Sequence, residues 1–181
     1  RDDAKRALDA LAPAARAAMK DRAGAWASQV LDVTRGDGAN DGEHAQQVAW
    51  VLAPRTPEEI EAIRAATRAQ TGGHETIYQE LSRSMSGGNR DEAIAGLSGD
   101  PVHAAAMGLV NASGDGARTA EILRGLDPAQ LAALKTRTPF GAGWIGADLD
   151  GAHRAEVDAL VAGDRAGADA AQLAGLLEEP D

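Results

Sequence analysis

Apolar positions recur along most of this chain at intervals of three and four residues, the spacing of one helix face. The pattern is clearest between Pro54 and Leu97. There Thr56 is placed to cap a first turn, Pro57 sits where a missing N–H costs nothing, and Glu58 and Glu59 suit the positive end of a helix. Ile60, Ile63 and Thr67 continue the stripe until Gly72-Gly73 stops it. A second helix is predicted from His74, with Ile77, Tyr78, Leu81 and Met85 inward and Gly87-Gly88 as its end. A third is predicted from Asn89 as N-cap, with Ala93, Ile94 and Leu97 buried.

The flanking segments follow the same rule. Residues from Arg1 read as a helix carrying Ala4, Leu8 and Leu11, interrupted near Pro13 and followed by a short segment to Lys20. Asp21 opens the next helix, with Trp26, Val30 and Val33 at helical spacing, and a glycine-rich turn covers Arg35 to Asp41. Glu43 to Ala53 forms another, presenting Ala45, Val48 and Leu52. Beyond Pro101 the pattern predicts a helix through Met107 and Val110, then Thr119 to Leu126, and then one with Pro128 in its first turn.

Composition agrees with helices. Only 3% of the 181 residues are aromatic, and alanine and leucine dominate the apolar set, which suits closely approaching helices better than a sheet. The chain is long enough to bury a core without staples, and with no cysteine it has neither a disulfide framework nor a thiolate zinc site. A formal charge of −10 with no segregated basic patch argues against nucleic acid as a partner. It also argues against direct contact with an anionic membrane unless a divalent cation bridges the two. No apolar run approaches the roughly 18 residues of a membrane span, and the start lacks a signal-peptide pattern. A chain that opens on Arg1 rather than Met is expected to be a piece of a longer protein.

The chain is also self-similar. DRAGAWASQV at Asp21 returns as DRAGADAAQL at Asp164, and DPVHAAAMGL at Asp100 has the same shape. The turn RGDGA at Arg35 returns as SGDGA at Ser113, and NRDEAIAGL at Asn89 corresponds to HRAEVDALV at His153. The division that follows is the end of a preceding helical unit or an N-terminal extension at 1–20, a first unit at 21–99, a second at 100–163, and the first helix of a further unit at 164–181. Unequal intervals between copies are expected where loops carry insertions.

The unit resembles an annexin repeat, most specifically in the GDGAND turn, the Arg55 that closes the second helix, the helix from Pro57, and the Ser-Gly turn at 86–87. The likeness covers Asp21 to Leu97 well. Over Pro101 to Leu177 it is fainter, resting on SGDGA, LDPAQLAALK and ADLDG. It implies an all-α protein of stacked annexin-like repeats, about 10–12 short helices in a right-handed superhelical array. The family winds four five-helix repeats, whereas about two and some fragments are placed here. It further implies calcium, held by carbonyls of the turn between the first and second helices and closed by an acid from across the unit. In the second unit the carbonyl positions are Ala112, Gly114 and Gly116, with Asp148 as the acid; this is the leading site. In the first unit they are Thr34, Gly36 and Gly38, but Ser84 stands where the acid is needed, leaving Asp37, Asn40, Asp41 or Glu43 as local substitutes.

Oxygen ligands in a loose arrangement suit calcium, and a site with few charges gains from a lipid phosphate, so calcium and membrane binding become one event. The expected role is therefore non-enzymatic: attachment to an acidic phospholipid surface, or, without calcium, a protein-interaction or spacer domain of a larger bacterial-type multidomain protein, at a membrane periphery or exported. The residues also have plainer uses. Gly-Asp-Gly ends one helix and caps the next, and Asp148 with Asp150 suits a solvated turn. Arg55 and Arg137 are expected to bond helix-end carbonyls. His44, His74, His103 and His153 show no zinc-binding spacing, and no catalytic or nucleotide motif is present. Trp26 and Trp50 are expected in the core and Trp144, among Gly141, Gly143 and Gly146, at the surface.

Overall fold

The computed structural model describes residues 2–36, 42–137 and 142–178. Among these there is no strand, and the chain is all-helical. It divides into two compact units, 1–104 and 105–181.

The first unit begins with α1 (Asp2–Ala10) and α2 (Pro13–Arg35), then α3 (Gly42–Leu52), α4 (Pro57–Gln70), α5 (Ile77–Ser84) and α6 (Gly87–Gly96). Ala27, Val30, Val48, Leu52, Ile60, Ile63, Ile77 and Leu81 meet in one buried cluster, so the stripes of α2 to α5 converge on a shared core. α2 packs on α3, α4 and α5, while α3 packs on α6. The α4 start is as its residues dictate: Thr56 accepts from the Glu59 amide and the Glu59 carboxylate accepts from the Thr56 amide, a reciprocal cap. Arg55 donates to the Val51 carbonyl at 2.8 Å, as expected of it, and its guanidinium also lies 4.0 Å from the centre of the Trp26 ring.

Several boundaries differ from expectation. α2 runs unbroken from Pro13 through Lys20 and Asp21. Its fully buried positions, Ala23, Ala27, Val30, Leu31 and Thr34, all lie beyond Asp21, and before it only Met19 packs partly buried against the core, although nothing breaks the backbone. α5 starts at Ile77 rather than His74, because Thr76 and Gln79 form a second reciprocal cap. α6 starts at Gly87 after Ser86, which places Asn89 inside its first turn rather than at its cap. Tyr78 and Trp50 are exposed; on α5 the inward face is Ile77, Glu80 and Leu81.

The division falls within α7 (Pro101–Asn111), and the second unit continues with α8 (Gly116–Arg124), α9 (Pro128–Arg137), a 3-10 turn (Ala142–Trp144), α10 (Gly151–Ala162) and α11 (Arg165–Glu178). α8 packs on α10 and α10 on α11, around Leu123, Val157, Leu160 and Ala168. α8 opens at Gly116 rather than Thr119, because Asp115 caps it by accepting from the Arg118 amide at 3.0 Å. Val110, expected inward, is exposed; Val102 and Leu109 form the buried side of α7. No helix among the described residues is long and apolar enough to cross a membrane.

Candidate functional site

In the second unit the segment after α7 turns back on itself through Gly114, whose φ of 80° lies in the left-handed region that favours glycine. The turn is closed by the amide of Asp115 donating to the Ala112 carbonyl at 2.8 Å. Across it sits Asp148, 35 residues on, which accepts a 2.6 Å hydrogen bond from the Ser113 hydroxyl. The same hydroxyl bond, with bonds from the amides of Asp148 and Gly114, holds the Asp148 carboxyl below its ordinary range. Asp148 and Ser113 are both exposed, and among the described residues no basic side chain pairs with Asp148. The two chain segments that the sequence assigned to one site are therefore adjacent. Behind them is a cavity of about 10 Å³, the size of one water, lined by Leu109, Ser113, Thr119, Trp144, Ile145, Gly146 and Asp148. Trp144 is half-buried there.

Gly116 has a packing role of its own. A Cβ at this position would stand 2.5 Å from the Cβ of His153, so only glycine lets the start of α8 approach α10 this closely. The donor set nevertheless fits calcium in kind: the carbonyls of Ala112, Gly114 and Gly116 and the carboxylate of Asp148 are all hard oxygen donors. The Ala112 carbonyl is already an acceptor for Asp115 and would be shared. Among the described residues no three His, Cys, Asp or Glu side chains gather into a metal-holding group, so a cation here would depend on main-chain oxygens.

The first unit is built differently. Thr34 is buried, and its hydroxyl donates to the Leu31 carbonyl at 3.2 Å. Gly36 follows α2 with φ −76°, an ordinary extended conformation, and its amide donates to Asp32. Gly38 lies outside the described residues, as do Asp37, Asn40 and Asp41; Glu43 opens α3 and is exposed. Ser84 spends its hydroxyl on the Glu80 carbonyl at 2.9 Å.

The acid that does reach the end of α2 is Glu80, one turn before Ser84. It is fully buried. Its Oε1 accepts from Arg35 Nε at 3.0 Å and from an Arg83 guanidinium nitrogen at 2.8 Å, with the Thr34 hydroxyl at 3.5 Å. Its Oε2 has no N–H or hydroxyl partner, but the Glu75 carboxyl lies within hydrogen-bonding reach of the Glu80 carboxylate. Burial pushes the Glu80 carboxyl up, yet the hydrogen bonds from Arg35 and Glu75 and the two guanidinium charges outweigh it, so it lies below its ordinary value. Glu75 goes the other way, raised first by its hydrogen bond to Glu80 and by that residue's charge. Glu80 carries a signal the apolar stripe hides, since it falls on the Ile77 and Leu81 face with two arginines in reach. Ser113 carries none, because a contact spanning 35 residues has no local period.

A further buried carboxylate in the second unit, Glu156 on α10, accepts from Arg124 at 2.9 Å, and Arg124 also reaches Asp169 on α11 at 2.6 Å. These groups tie α8, α10 and α11 together away from the turn. No family model, curated protein or solved structure matches the chain.

Proposed function

We propose that the protein is a non-enzymatic, annexin-like helical attachment module, whose second unit takes calcium at the turn of Ala112, Gly114 and Gly116 with Asp148 as the closing acid. The observation that carries this reading is the exposed Asp148 carboxylate, within 2.6 Å of the Ser113 hydroxyl in the turn and opposed by no cation among the described residues. Three carbonyls and one carboxylate supply too few oxygens for a shell of six to eight, so phosphates of an acidic lipid surface complete it. The net charge of −10 makes such bridging a condition of binding. In this reading Asp148 exchanges its hydroxyl and amide donors for the cation, and the first unit serves as scaffold, its acid being spent on Arg35 and Arg83.

Co-sedimentation with phosphatidylserine vesicles tests this. Pelleting is expected with millimolar calcium, and is expected to vanish with chelator and in Asp148→Asn. Equal pelleting with and without calcium, or none in either, overturns it.

A second reading, a calcium-independent interaction or spacer domain, is favoured by one observation: Gly116 is required by His153 and Asp148 is satisfied by Ser113 and Gly114, so the turn is complete without a metal. Titration calorimetry separates the two, because the spacer reading expects no heat of calcium binding and no calcium-dependent change in melting temperature.

A further inference from the structure

α10 packs closely on α8 and on α11, whereas α9 packs closely on none of the described helices. A pocket of about 220 Å³ lies along α9. Pro128, Leu131, Ala132 and Lys135 line it at the i, i+3, i+4 and i+7 spacing of one continuous helix face, which rises about 10 Å from the first to the last. Leu123, Leu126 and Leu160 supply buried apolar wall from α8, its end and α10. The charged residues on the pocket, Lys135 and Arg165, are of one sign. Arg165 donates to the Leu126 and Arg124 carbonyls at 2.8 and 3.3 Å, which fixes the guanidinium without neutralising it. Lys135 is half-buried, and neither cation pairs with an acid among the described residues. The acids nearest to them in sequence are used as caps: Asp127 accepts from the Gln130 amide and Asp164 from the Gly167 amide. On a chain with 28 acids against 18 lysines and arginines, two unopposed cations on one apolar pocket point to an anion.

We propose that this pocket binds a free medium-chain alkyl carboxylate, its chain lying between α9 and the buried leucines and its carboxylate on the Lys135 ammonium. The volume sets the size: drug-sized ligands occupy roughly 300–1,000 Å³, whereas an apolar cavity of ~150 Å³ accepts a six-carbon ring, so 220 Å³ suits a chain of about eight carbons. The walls set the chemistry. Leucine, alanine and proline side chains offer no partner for the hydroxyls of a sugar, and a phosphate wants several N–H donors where Arg165 has spent two of its own on carbonyls. One ammonium beside an apolar trough matches one carboxylate on an alkyl chain, and partial exclusion of water strengthens that pair. A lysine in the last turn of α9 also suits the negative helix end, and that role alone expects no ligand. The pocket shares no residue with the turn at Gly114, so this site stands apart from the calcium reading.

Titration of the 181-residue chain with sodium octanoate up to about 10 mM, in chelator and followed by NMR, tests this. Saturable binding is expected, with intermolecular NOEs from the octanoate methyl protons to the Leu123 and Leu160 methyls of the unmodified chain. Butanoate is expected to bind about 100-fold more weakly, having lost four methylenes of burial. Octylammonium and 1-octanol, which keep the chain and lack the anion, are each expected to bind at least about tenfold more weakly than octanoate. Lys135→Gln, with its helical circular dichroism unchanged, is expected to weaken octanoate by about tenfold or more and to leave 1-octanol unaffected. No saturable octanoate binding, NOEs to other side chains in place of Leu123 and Leu160, 1-octanol or octylammonium binding as tightly as octanoate, or full octanoate affinity in a folded Lys135→Gln overturns the inference. The NOE pattern and the ligand series are read on the unmodified chain, so they decide the matter even where the variant fails to fold.

Discussion

Each unit brings an acid to one end of a helix, Glu80 to the end of α2 and Asp148 to the turn after α7, and they do opposite things with it. In the first unit Glu80 is fully buried at the end of α2 and held by Arg35 and Arg83. In the second, Asp148 stands exposed across the turn after α7 and is held only by a hydroxyl and amides. A carboxylate neutralised by two guanidiniums contributes to the fold and has little charge left for a cation. One held by neutral donors keeps its charge, and those donors are exchangeable. In the first unit the structural acid is Glu80, one helical turn before Ser84 on α5; in the second the available one is Asp148.

The strongest way to break the comparison is at Glu80. Glu80→Ala is expected to cost about 3 kcal/mol in urea unfolding, because it empties a buried site and leaves two guanidiniums facing it. Asp148→Asn is expected to leave the urea midpoint unchanged. Equal losses at the two sites would mean that Asp148 is structural as well. Next comes Gly116→Ala, where the Cβ meets His153 at 2.5 Å; a loss of about 1–3 kcal/mol is expected from forcing α8 away from α10. A neutral outcome there would free the glycine for a purely ligand-binding role.

Acid titration sharpens the same contrast. Glu80 has a lowered carboxyl, so its contribution is present above the ordinary glutamate range and is lost as pH falls through its native value. Glu75 is raised, so its contribution has the opposite sign: present at low pH and lost as pH rises through its native value. Thermal unfolding followed between about pH 6 and 3 should show stability declining below roughly pH 4.5. The decline should be steeper in Glu75→Gln, which removes the opposing group, and shallower in Glu80→Gln. The smallest effect is expected at Ser113→Ala. Losing the hydroxyl bond should let the Asp148 carboxyl rise toward its ordinary value, read by carbon-detected NMR titration, with no change in the fold.

Much of this architecture is legible in residue order where a local device sets it. Thr56, Pro57 and Glu59 specify the start of α4 by themselves, and Arg55 before them bonds the helix end as its position suggests. The start of α2 is less legible because its first turns bury no residue fully and only Met19 partly, so periodicity is weak where the backbone is regular. Glu80 is hidden for another reason: hydrophobic patterning counts a charge as outward, and only the tertiary approach of Arg35 makes burial possible. Only the resemblance to a repeat relates the turn to Asp148 in the sequence, and the Ser113 hydroxyl that joins them makes a contact no spacing encodes. Trp50 shows the converse, an aromatic that fits a stripe and still faces water.

The placement of the tryptophans has an optical consequence. Trp144 lines the same small cavity as Ser113 and Asp148, while Trp26 lies under the Arg55 guanidinium in the first unit. Each unit therefore contains its own intrinsic fluorophore in a distinct surrounding. With Trp26 and Trp50 replaced by phenylalanine, the emission of Trp144 becomes a label-free reporter of whatever rearranges the turn at Gly114.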